Sequence, residues 1–316
     1  MINFIGLGKK IYDLNNPREA HRFAVFVARC CLHPQRINRL EEFFSQSEIL
    51  KDISKKFPFV YEQVTRAFFY HKSKFDERMN LIKSHMNFFT QNMSENFLRR
   101  LYGGERIELW KMLIDENLGE MRLLICIEPG QRKEGLASVM LRLNDDFPIY
   151  QIMFWIAPDN LLNFENSTGN PAMWIGAMQG PNVDDAKEII KLITKKTHAY
   201  RTKNLILYAT QAVARSLGLK KIFAVTNYGY YANNHVRKDR KLKTSFSDFW
   251  NECGGTPTND KRFFELPIVE QRKNFEEIPA HKRAVYRRRF TLLDEIDSAV
   301  ETEIEKIFLN PPKIQA

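Results

Sequence analysis

PAMWIGAMQGPNVDDAKEIIKLITKKTHAYRTKNLILYATQAVARSLGLKKIFAVTN, residues 171–227, is the stretch whose reading decides the fold. Residues 173–178 form an apolar run of strand length, and Gly180-Pro181 stops it. Asp184 and Asp185 offer carboxylates to a helix start, with Glu188 in its first turn. Ala186, Ile189, Ile190 and Ile193 recur at the spacing of one buried helical face. The connector HAYRTK, residues 198–203, leads into a second helix with Leu205, Ala209, Ala212 and Val213 turned inward. Gly218 stands where a left-handed C-cap is wanted, and residues 222–225 read as a buried strand. Strand, helix, basic loop, helix, strand is an α/β unit, and a cationic loop at a helix N-terminus suits an anion.

Upstream, residues 1–104 read as helical. Pro17 opens a helix with Phe23, Ala24, Val27 and Ala28 on one face, and His33-Pro34 ends it. Further helices are expected after Asn38, near Phe59 and over residues 75–89, with Leu98 and Leu101 continuing to the breaker Gly103-Gly104. From Glu105 the pattern changes to apolar or alternating runs at 106–112, 121–127, 136–143, 149–156 and 173–178, separated by turn residues as in an antiparallel meander. Beyond the central unit come a basic stretch (235–243), a short helix around 246–252, a strand at 263–267 and a long amphipathic helix over about 279–309. Seven strands are therefore expected, five before the central helices and two after. The fold class is α+β, divided into a helical region 1–104, a mixed, mostly antiparallel core 105–278 and a C-terminal helix 279–316.

The chain of 316 residues, 44% hydrophobic and 12% aromatic, is long enough for a substantial core and has no repeat. Its net charge of +10 favours acidic partners: phosphates, nucleic acid, anionic lipid headgroups or acidic carrier proteins. Cys30, Cys31, Cys126 and Cys253 include no C-x-x-C pair and no His at zinc-ligand spacing, so no metal is expected and burial of Cys30, Cys31 and Cys126 is the simplest reading. The N-terminus lacks the roughly 7–15-residue apolar core of a signal peptide, and no run approaches roughly 18 apolar residues. The expected location is cytoplasmic, with the inner face of the membrane as an alternative.

WIGAMQGP, THAYRTKNLI, the AVTN strand, SFSDFWNECGG and the late RAVYRRRF together resemble the VirK/YbjX family of bacterial proteins, from about His21 to Glu295. That resemblance implies a bacterial origin and a link to virulence or envelope stress, and carries no established reaction. The order of strands and helices also resembles the acetyltransferase-like (GNAT) fold. The resemblance departs at one place: the Arg/Gln-x-x-Gly-x-Gly/Ala pyrophosphate loop is replaced by YRTKN, residues 200–204, with no glycine to let backbone amides approach a phosphate. A side-chain clamp by Arg201 and Lys203 would have to substitute.

Candidate chemistry gathers around the central stretch. His198 is a candidate general base, and Arg201 a phosphate or carboxylate ligand, against the alternative of a loop histidine and a capping arginine. Gln179, at a strand end, is a candidate ligand contact or a satisfied bulge. Asn227 and Tyr228 stand where an acetyltransferase-like site places its acid or oxyanion group, within a polar-aromatic loop (Tyr228, Tyr230, Tyr231, Asn233, Asn234, His235), against an aromatic lid. Asp248 and Glu252 share a helix face that reads as solvated. His85, beside Phe88 and Phe89, reads as a core histidine. Arg237–Lys243 and Arg287–Arg289 are charge runs without a groove-reading motif, which argues against sequence-specific nucleic-acid binding. The catalytic candidates are thus His198, Asn227 and Tyr228, and the donor-binding candidates Gln179, Arg201 and Lys203, with acyl-CoA or acyl carrier protein as donor. The competing reading is a non-catalytic protein that binds an anionic lipid surface or a protein partner.

Overall fold

The computed structural model describes residues 2–144, 147–181, 186–234 and 245–310. Seven helices come first: α1 (Phe4–Ile11), α2 (Pro17–Leu32), α3 (Pro34–Phe44), α4 (Glu48–Lys56), α5 (Phe59–Thr65), α6 (Phe75–Asn92) and α7 (Glu95–Tyr102). Their starts are chemically marked. The side chains of Asn3, Asn16, Ser47 and Ser94 accept first-turn N–H groups of α1, α2, α4 and α7, and proline opens α2 and α3. Pro34 therefore begins α3 directly, earlier than the start expected after Asn38, because a proline that ends one helix is pre-set for the first position of the next. Neither α1 nor α4 was expected. Cys31 is exposed rather than buried, whereas Cys30 and Cys126 lie in the core.

The sheet is formed by β1 (Ile107–Asp115), β2 (Gly119–Cys126), β3 (Ala137–Leu143), β4 (Phe147–Pro158), β5 (Pro171–Gln179), β6 (Ile222–Val225), β7 (Thr256–Pro257) and β8 (Phe263–Leu266). Among the described residues one strand more than expected is present: the two-residue β7, too short for any periodicity to announce it. The order is β1-β2-β3-β4-β5-β6-β8-β7. The first five strands are antiparallel neighbours, β5 and β6 are parallel, and β8 returns antiparallel to β6. Between β5 and β6 lie α8 (Ala186–Lys196) and α9 (Thr202–Ser216), the right length of chain for a crossover between parallel strands. Gly218, at φ 74°, supplies the left-handed turn after α9. Asp184, Asp185 and the basic stretch 235–243 lie outside the described residues.

α9, buried along nearly its whole length, packs on β3 and β4, and α11 (Arg283–Ile307) packs on α9 and β1. The short helix α10 (Phe246–Glu252) sits against β6 and β8. The N-terminal helices join the same core: α6 lies against β4, and one hydrophobic cluster runs from Ile11 through the sheet to Ile304. His85 of α6 shows how the two parts are sewn together. The ladder between β3 and β4 ends at Ala137↔Phe154, and the buried Nδ1 of His85 accepts the N–H of Ile156 at 3.1 Å. Burial holds this imidazole down at about 3, so it stays neutral.

Two glycines set the approach of the β2–β3 connector to the sheet. A Cβ at Gly176 would overlap the carbonyl oxygen of Glu134, and one at Gly135 would stand 2.7 Å from the Phe154 nitrogen. Gly176→Ala is expected to cost about 1–3 kcal/mol by forcing the connector off β5. Gly130→Ala, where a Cβ meets nothing, should stay within about 0.5 kcal/mol of the parent. Urea denaturation of both variants checks this; equal midpoints would show that the connector yields freely.

Candidate functional site

The connector between β2 and β3 forms an arch, and α5 clamps it. Gln63 donates to the carbonyls of Arg132 (2.7 Å) and Gly135 (3.0 Å), while Arg132 pairs with the buried Glu62 at 2.6 Å and lays its guanidinium on the Phe59 ring. The N–H of Phe69 binds the carbonyl of Lys133 at 2.8 Å. Held on both sides, the arch directs Glu134 inward, where it is only 3% exposed.

Two donors from different elements meet that carboxylate. Tyr230, in the loop after β6, donates its hydroxyl to one oxygen at 2.5 Å, and Gln179, at the end of β5, donates its amide to the other at 2.7 Å. Gln131 in turn donates to the Gln179 carbonyl at 3.2 Å. Burial pushes the Glu134 carboxyl up to about 7, against the lowering effect of Tyr230, Lys133 and Gln179. The cluster stands where the parallel strands part. Pairing of β5 with β6 stops at Ile175↔Ala224, while β5 runs on to Gln179. A carboxyl that titrates near neutrality, oriented by a tyrosine and a carboxamide, can take up and return a proton.

The residues expected from sequence fall in different places. Gln179 is in this cluster. Arg201 is exposed at the start of α9, paired with Glu252 at 2.8 Å and bonded to Asn204; its charge partly offsets the upward push of burial on Tyr150, whose ring packs at Gly180, just past Gln179. Lys203 sits 3.9 Å above the Phe249 ring, and burial lowers its pKa. His198 and Ala199 both have positive φ, and their carbonyls accept from Arg289 of α11. Burial first, then Arg288 and Arg289, hold the His198 imidazole below its ordinary value. The Asn227 side chain is engaged at the start of α10: its oxygen accepts from Phe246 (2.6 Å) and Ser247 (3.2 Å), and its amide donates to Ser245. Tyr228 is exposed, edge-on to His71 with Lys261 over its ring. Glu134 was not among the expected residues, and Tyr230 was noted only as part of its loop. Gly176, an interruption in an apolar strand, was the available signal, since glycine there marks a close backbone approach.

A family model described as "Protein of unknown function (DUF535)" matches residues 15–302. The chain belongs to that family. A relative named "Uncharacterized protein YbjX", from Escherichia coli (strain K12), is 29% identical over 58% of this chain and 52% of its own length, which bears out the VirK/YbjX resemblance. The match thus spans about half of that relative. An "Uncharacterized protein" of Haemophilus influenzae is 22% identical over 94% of both chains, and the "Membrane protein LapB" of Mannheimia haemolytica is 24% identical over 62% of this chain and 79% of its own. No solved structure matches. No described helix is long and apolar enough to cross a membrane, and among the described residues no group of three or more His, Cys, Asp or Glu side chains is placed to hold a metal.

The Glu134 environment has a consequence for stability in this DUF535 chain. Below its ordinary value of 4.5 the carboxyl is protonated in folded and unfolded chains alike. Between 4.5 and about 7 the unfolded chain ionises while the folded one holds its proton, so stability falls as pH rises through that window. The full effect is about 3 kcal/mol. Glu134→Gln should remove this part of the slope, so that urea denaturation at pH 5 and pH 8 finds the variant gaining on the parent at the higher pH. Parallel slopes would mean that Glu134 titrates normally.

Proposed function

We propose that this protein is an acyl-group transferase that takes an acyl chain from a thioester donor, acyl-CoA or acyl carrier protein, and that Glu134 is its general base. The observation that carries the reading is the buried carboxyl beside the divergence of β5 and β6. The sheet order supports it: an antiparallel run, a helical crossover to a parallel strand, and a final hairpin whose second strand lies inside the first, as in an acetyltransferase-like sheet. Beyond Ile175 the edge of β5 that faces β6 offers main-chain groups to an extended, amide-bearing donor arm. Arg201 and Lys203 supply cations for donor phosphates in place of a glycine-rich loop.

In the reaction the acceptor gives its proton to Glu134 as its heteroatom attacks the thioester carbonyl carbon. The new acyl bond forms, the carbon–sulfur bond breaks, and the departing thiolate takes up the proton. Gln179 and Tyr230 orient the carboxyl. Asn227 and Tyr228 act on the loop that carries Tyr230 rather than on substrate, and His198 has no catalytic part in this scheme.

A second reading, non-catalytic binding to an anionic surface, draws on α11. Arg283, Arg287, Arg288 and Arg289 crowd its N-terminal turns, where the helix dipole disfavours cations, and Arg287 and Arg288 are exposed. One relative also carries the name "Membrane protein LapB".

Thiol release from acyl-CoAs of graded chain length and from acyl carrier protein separates the two. The rate should rise with pH through an apparent pKa near 7, and Glu134→Gln should lower kcat by about 10²-fold or more with donor affinity unchanged. Arg201→Ala should weaken donor binding by about 10-fold with little effect on kcat. A Glu134→Gln variant as fast as the parent would remove Glu134 from the mechanism; binding to anionic vesicles with no thiol release from any donor would favour the second reading.

A further inference from the structure

Three carboxamides, Gln131, Gln151 and Gln179, adjoin one another in the Glu134 cluster, and their hydrogen bonding is incomplete in a specific way. Gln131 donates to Gln179, and Gln179 donates to Glu134. Gln151 of β4 is the cross-strand partner of Gln179, so the two side chains share a face of the sheet. Gln151 is 3% exposed, yet among the described residues its Nε2 has no acceptor and the buried Oε1 of Gln131 has no donor. Buried amide groups are rarely left unmet. Here one missing acceptor and one missing donor flank the same Gln179. Gln131 and Gln179 are half-buried, so the rim of the cluster is open to solvent while its floor is not.

A hydroxyl group is both donor and acceptor, and a compound with several hydroxyls would satisfy both atoms at once. The charge of the floor narrows the class further. Its hydrogen-bonding side chains are carboxamides and a single carboxyl bonded to neutral donors, so among the described residues an ammonium acceptor finds no cluster of carboxylates; Lys133 acts on Glu134, and Arg142 is engaged by Met140, the other cross-strand neighbour of Gln151.

We infer that the acyl acceptor is a neutral polyhydroxyl compound, sugar-like in its hydrogen bonding, bound by Gln131 and Gln151 with the reacting hydroxyl at Glu134. This rests on the transferase reading above, and deepens it. Gln151 and Gln131 are binding residues whose loss acts on acceptor affinity rather than on the chemical step.

The test uses the full chain with an acyl-CoA that it hydrolyses or transfers, offered glucose, N-acetylglucosamine or glycerol, and separately lysine or spermidine. Product is identified by mass spectrometry, and acceptor binding alone is measured by calorimetry without donor. The expected result is an ester of a neutral polyol, with KM for the polyol raised about tenfold in Gln151→Leu and in Gln131→Leu at similar kcat and with unchanged donor binding. Gln151→Leu should also melt higher than the parent, because leucine leaves no amide unmet. Acyl transfer to the amines instead, or unchanged polyol KM in both variants, would overturn the inference and leave the transferase reading standing; loss of the acyl group to water alone would overturn both. If no donor is consumed at all, the transferase reading fails, and calorimetry decides the inference separately: polyol binding weakened in both variants sustains the site, and no polyol binding overturns it.

Discussion

Where Gly176 interrupts the apolar run of β5, the carbonyl oxygen of Glu134 occupies the volume that a side chain would take. This contact brings the β2–β3 arch down onto the sheet at the point where β5 leaves β6, and it needs both partners to be fixed. β5 is fixed by its long antiparallel pairing with β4. The arch is fixed by Gln63, by the Glu62–Arg132 pair and by the start of β3, where the Leu136 N–H reaches Phe154. A glutamate placed on a free loop would turn to water; on this arch its carboxyl is driven under cover, where Tyr230 and Gln179 donate to it.

The N-terminal helices thereby acquire a task beyond adding core. The loop between α5 and α6 touches both halves of the cluster: Phe69 bonds to Lys133 of the arch, Tyr70 bridges Tyr230, and His71 bonds to the carbonyl of Gly229. Asn234 closes the clasp from the other side, accepting from Lys72 and donating to Ala67. Phe69 and Lys72 take positive φ values, 70° and 57°, which bulky side chains adopt only under constraint. The strain is sustained by the packing of Phe69 and Tyr70 against Trp155, in the middle of the sheet. Arch, clasp and sheet therefore form one rigid support, built from three distant parts of the chain.

That distance explains what was legible in the sequence and what was not. Strands β1 to β6 and β8 announce themselves as apolar or alternating runs between turn residues, and α9 by its inward Leu205, Ala209, Ala212 and Val213, because these are local patterns. α1 and α4 are short helices at which capping, not periodicity, sets the start, and β7 has no length to show a period. The site was less legible because its defining property is long-range. Glu134 lies between a lysine and a glycine in a polar connector, and nothing nearby indicates that α5 and Gly176 will bury it. Gln179 could be picked out from its place at a strand end. Asn227 and Tyr228 carry suitable chemistry, yet the fold turns them to a helix start and a histidine ring. Family membership was the most legible property of all, since it needs only short motifs in order.

The same arch carries the clearest argument for assigning Glu134 a chemical role. Glu62 and Glu134 are both buried, at 1% and 3% exposure, and they are linked through Arg132 and Gln63. Glu62 is met by two guanidinium groups, Arg66 and Arg132, and through Arg132 it ties the arch to α5. Glu134 is met by a phenol and a carboxamide, partners that suit either protonation state, since a phenol can donate to a carboxylate or accept from a carboxylic acid. A purely structural carboxylate would gain from a cation at such depth, as Glu62 does. Neutral partners leave the proton exchangeable, at a cost in stability that rises with pH. Two glutamates of similar burial thus differ in their partners: one is paired with cations and holds the arch, and the other, on the arch, meets neutral donors that suit the proton transfer proposed for it.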